Sequence, residues 1–84
     1  MYKSKIMGYI EETSPKIAAQ NNSKYVIDVI LKEINEELTS LKGVIETAKL
    51  CEMNELADEL KNEAIFMAKW WVEFNKEYKK RWGI

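Results

Sequence analysis

Histidine is absent from this 84-residue chain, and the absence excludes more chemistry than any residue present supplies. Without imidazole there is no Ser-His or Cys-His nucleophile pair, no histidine metal ligand and no ready proton switch near neutrality. Cysteine occurs once, as Cys51, so an intramolecular disulfide is impossible. Cys51 lies beside Glu52 near the expected turn and reads as structural or incidental rather than nucleophilic. One proline and three glycines leave little to punctuate a turn-rich sheet, which favours helices. Gly-rich phosphate loops and paired cysteine motifs are missing as well. The apolar runs are a handful of residues each, far short of the ~20 that a membrane-spanning helix needs. No charged-then-apolar leader with a small-residue cleavage site opens the chain, so the expected location is cytoplasmic.

What is present is ordinary globular composition, with 46% apolar and 32% charged residues, enough for one small domain with an economical core. Thirteen Lys and Arg against 14 Asp and Glu give a net charge of -1. No global field therefore draws the chain to nucleic acid or anionic lipid, and any such contact must be local.

Two heptad stripes dominate the pattern between Lys24 and Arg81. Ile27, Leu31, Ile34, Leu38, Leu41, Ile45 and Ala48 alternate spacings of four and three, which keeps an apolar seam on one helix face. Ala57, Leu60, Ala64, Met67, Trp71, Phe74 and Tyr78 repeat the rhythm in reverse. A fold-back near Glu52 and Met53 sets each residue of one stripe opposite one of the other, Ile34 with Trp71 and Leu38 with Met67 among them. The spacing predicts long helices over residues 24–50 and 54–81, with Asn54 capping the second and Glu55 at its positive end. Since no glycine is available at the turn, Cys51 or Glu52 must take the left-handed position that usually ends a helix.

A bare hairpin exposes too much apolar surface. Projected at about 100° per residue, Val26, Ile30 and Val44 flank the first seam on the side where Phe66 and Trp70 flank the second. The N-terminal segment supplies a filler for this groove. Tyr2, Ile6, Tyr9 and Ile10 recur at helical spacing and predict a helix over 2–12, weakened by Gly8 and by charges set against its dipole. Ser14-Pro15 marks a cap and first-turn proline for a turn or short helix at 15–20, and Ser23 caps the long helix that follows. The expected architecture is all-α: a long antiparallel helical hairpin completed by the N-terminal helix into a three-helix bundle, a single domain over residues 1–84.

Every seam position is apolar, so the glutamates fall on solvated faces and no inward carboxylate set is available for a metal. Neither enzymatic activity nor a cofactor is expected. Two surface features remain. Val29, Ile65, Ala68 and Val72 point outward or to the flank that the N-terminal helix cannot reach, the character of a protein interface with a partner or a second copy. Lys76, Lys79, Lys80 and Arg81 with Trp82 form the one local basic cluster, a candidate nucleic-acid contact that is weighed against the ordinary preference of cations for the last turns of a helix. The expectation is a non-enzymatic protein-binding module of accessory, immunity or inhibitor type, or a homodimer, with a nucleic-acid-binding regulator as the alternative.

Overall fold

The structure, a computed structural model, describes residues 4–83. Helices α1 (Lys5–Glu12), α2 (Pro15–Asn21), α3 (Lys24–Leu50) and α4 (Asn54–Trp82) follow one another, with no strand among the described residues. Tyr2 lies outside them. The α3–α4 hairpin forms the long axis of a body measuring 46 × 22 × 17 Å. Short α1 and α2 pack against it as an N-terminal arm, giving an all-α bundle.

Both seams are where the heptads put them. Ile27, Ile34, Leu41 and Ala48 of α3 and Ala57, Leu60, Met67, Phe74 and Tyr78 of α4 are buried, while Leu31, Leu38, Ile45, Ala64 and Trp71 are half-buried. Serine hydroxyls start three of the helices. Ser4, Ser14 and Ser23 accept from the backbone N–H of Met7, Ile17 and Val26 at 3.2, 3.2 and 3.3 Å, each satisfying one of the orphan donors of a first turn.

The turn between α3 and α4 is tight and uses no glycine. Met53 N–H donates to Ala48 O at 2.8 Å and Glu52 N–H to Lys49 O at 3.1 Å, a paired closure that consumes two orphan carbonyls of α3. It forces Glu52 to φ 59°, a left-handed conformation that costs an L-residue about 1–2 kcal/mol. Glu52→Gly should therefore stabilise the protein by about 1 kcal/mol, read as a shift of the urea midpoint at unchanged slope. The same closure corrects the expectation for Asn54. Only Met53 separates Glu52 from α4, so Met53 takes the cap position with no side-chain cap bond, and Asn54 is already the first helical residue.

The arm differs from expectation in how it fills the groove. Helix α2 is no incidental turn: it packs along α4 with Ala18 and Ala19 fully buried, since a methyl-sized contact lets two helices approach closely. Helix α1 buries Met7 and Ile10, with Ile6 and Tyr9 half-buried. Together they cover Ile30 and Trp70 but leave Val26, Val44 and Phe66 at 38, 49 and 47% exposure. Length is the reason. Helices of 8 and 7 residues, joined at Thr13-Ser14, cannot run the length of partners of 27 and 29 residues.

Candidate protein-binding face

The arm fixes which sides of α4 are spoken for. Trp70 donates its Nε1–H to Thr13 O at 2.8 Å, with Tyr9 edge-on to its ring at 6.3 Å and Phe74 stacked on it at 4.9 Å. Farther along, Arg81 Nη1 donates to both Ala19 O and Asn22 O at 2.6 Å. Asn22 Nδ2 in turn donates to Ala18 O at 2.8 Å and to Tyr9 Oη at 3.0 Å. Two side chains thus take the carbonyls that the C-terminus of α2 leaves unpaired, and the Arg81 cation meets the negative end of that helix dipole. Among the described residues no buried side-chain nitrogen or oxygen lacks a hydrogen-bond partner.

The side of α4 away from the arm is open. Ile65 and Val72 are 44 and 55% exposed and Ala68 is half-buried. At about 100° per residue the three fall within a sector of about 60°, and Ala68 and Val72 line a shallow open depression with Lys69 and Glu73. Val29 is exposed too, but it sits on α3 about 150° round from the seam. It faces away from α4, so the hairpin itself separates it from the other three. The other large exposed apolar residues, Leu50 and Met53 at the turn, Ile17, Tyr25 and Trp82 at the open end, and Val26, Val44 and Phe66 on the arm side, lie apart from this sector.

Lys76, Lys79, Lys80, Arg81 and Trp82 are all exposed, yet they do not share a face. Arg81 is turned to α2, and its guanidinium lies 4.8 Å from the Trp82 ring centroid. Lys80 pairs with Glu77 at 4.0 Å. Lys76 and Lys79 project with Ile65 and Val72 instead. The apparent cluster is therefore divided among three directions. Arg81 as the cap of α2 was beyond sequence reasoning, because its acceptors are backbone carbonyls that any residue would present.

Cys51 is exposed at the turn and free. Among the described residues no three Cys, Asp or Glu side chains stand where they would hold a metal ion, and no helix is long and apolar enough to cross a membrane. No protein family matches the chain, and no curated protein or solved structure matches it either.

Proposed function

We propose that this protein is a non-enzymatic protein-binding module that acts by occupying a partner's surface, with the outer face of α4 as its contact. The observation that carries the reading is the exposure of Ile65 and Val72 beside Ala68 on the one long flank of α4 that neither α3 nor the arm covers. The cost of leaving such residues in water is about 25 cal/mol for each Å², and a rigid helix presents them without further ordering, which lowers the entropy lost on docking.

The test is an Ile65→Asp, Val72→Asp double variant. Both residues are half-solvated already, so its circular dichroism and thermal midpoint should stay close to wild type. Affinity capture from the native host should then lose the partner that wild type retains, at least tenfold by quantitative mass spectrometry. Identical capture profiles for the two proteins, together with a monomeric mass for both by light scattering, would refute the reading.

A further inference from the structure

Charge on α4 is segregated by side to a degree that the chain's net charge of -1 conceals. Between Lys61 and Lys79, the outer sector of α4, about 100° wide at 3.6 residues per turn, contains Lys61, Ile65, Ala68, Lys69, Val72, Lys76 and Lys79. No acidic residue falls within it along this segment, and Asp58, one turn before Lys61, is the nearest acid on the same bearing. Glu63 and Glu77 project to the arm side, and Glu73 stands at the edge of the sector, where it lines the depression with Ala68, Lys69 and Val72. All four lysines are exposed, and none of them takes part in an ion pair among the described residues. The result is a straight stripe of about 27 Å with an apolar centre and a basic rim.

We infer that the occupant of this face is an acidic amphipathic helix of another protein, laid along α4 with its apolar ridge on Ile65, Ala68 and Val72 and its carboxylates against the four lysines. The inference rests on the protein-binding reading above and adds the partner's chemistry. Charge complementarity selects the occupant. A second copy docked through this same face would bring lysine against lysine, which is unfavourable. Ile, Ala and Val offer no aromatic or long apolar side chain to anchor in a lipid interface. A phosphate backbone would meet an apolar centre with no aromatic side chain on which to stack a base. A helix ridge suits all three central residues, because the small Ala68 between Ile65 and Val72 permits close approach of a second helix axis.

The experiment uses the full chain labelled with nitrogen-15 and two synthetic 21-residue helical peptides, one with Leu and Ala along a heptad seam flanked by Glu, the other with every Glu replaced by Gln. Titration followed by heteronuclear correlation spectra should show the acidic peptide shifting amides of residues 61–79 more than those of α1, α2 and α3. Its binding should be at least tenfold tighter than that of the Gln peptide and weaken when salt is raised from 50 to 300 mM. The Lys61→Gln, Lys69→Gln, Lys76→Gln, Lys79→Gln variant should lose that preference, with an unchanged circular dichroism spectrum as the check on folding. Equal binding of the two peptides would overturn the charge assignment while leaving the protein-binding reading in place, and so would shifts centred elsewhere. Phosphatidylserine vesicles, a 20-base-pair DNA duplex and the unlabelled protein itself form the remaining arms. Stronger binding to any of these than to the acidic peptide would overturn the inference. Loss of capture by the Ile65→Asp, Val72→Asp variant is read separately, so the failure of one idea is distinguishable from the failure of the other.

Discussion

Trp70→Ala is expected to lower the unfolding free energy by about 3–5 kcal/mol, a large share of the roughly 5–15 kcal/mol that a domain of this kind commands. Three contributions converge on this side chain. It is 5% exposed, the largest ring in the core, and its burial joins α1 to the hairpin. The edge-on Tyr9 and stacked Phe74 rings each contribute about 0.5–1.5 kcal/mol beyond area. The Nε1–H bond to Thr13 O fixes the point where α1 gives way to α2. Trp70→Phe separates these effects, since it keeps an aromatic ring and leaves Thr13 O without its donor, at a cost of about 1–2 kcal/mol in addition to any packing loss. Urea melts supply both values. Amide exchange then locates them: in Trp70→Phe, protection should fall in residues 5–21 before it falls in the centre of α3 and α4. A loss below 1 kcal/mol for Trp70→Ala would mean that the arm holds without this ring and that the groove is not its seat.

The hairpin was legible because its signal is redundant. A heptad seam repeated along helices of 27 and 29 residues leaves one face for the partner, and the matched stripes leave one register. The left-handed residue at the turn was legible for a negative reason: with no glycine between Leu50 and Asn54, the closure had to fall on an L-residue, and it falls on Glu52. The caps Ser14 and Ser23 were legible from local chemistry alone. Asn54 was misplaced because a cap depends on where the preceding closure stops, and that is set by the backbone of residues 48–53.

The arm was harder to read. Ala18 and Ala19 carry almost no apolar signal of their own, yet they are fully buried, because close approach and not side-chain area is what α2 gains from them. Met7 was overlooked beside Ile6, though both lie near the apolar face of α1. The candidate face was half visible. Ile65, Ala68 and Val72 follow from projection once the seam is known, but Val29 meets the same criterion on α3, on a side that faces away from the other three. Knowing which flank the arm covers is what joins Lys76 and Lys79 to the apolar residues and detaches them from Arg81.

Arg81→Met is expected to cost about 1.5–3 kcal/mol, about 6–24 °C in melting temperature for a chain of this length. That is far more than a terminal-turn cation on a helix surface usually contributes, which is about 0.3–1 kcal/mol. Methionine retains an apolar stem, so the loss isolates the two bonds from Nη1 to Ala19 O and Asn22 O. Neither carbonyl has another side-chain donor among the described residues, because Asn22 Nδ2 is engaged by Ala18 O and Tyr9 Oη. Lys80→Gln is the matched control: its one ion pair, at 4.0 Å to Glu77, is exposed on the lysine side, and the expected change lies within about 0.5 kcal/mol. If Arg81 served a ligand phosphate instead of α2, the two variants would melt alike and differ only in binding. A structural Arg81 gives the opposite pattern, with amide protection lost first at the C-terminal turn of α2. Peptide binding at the proposed face, through Lys69 and Val72, is expected to be unchanged in Arg81→Met, because that face lies on the other side of the same helix.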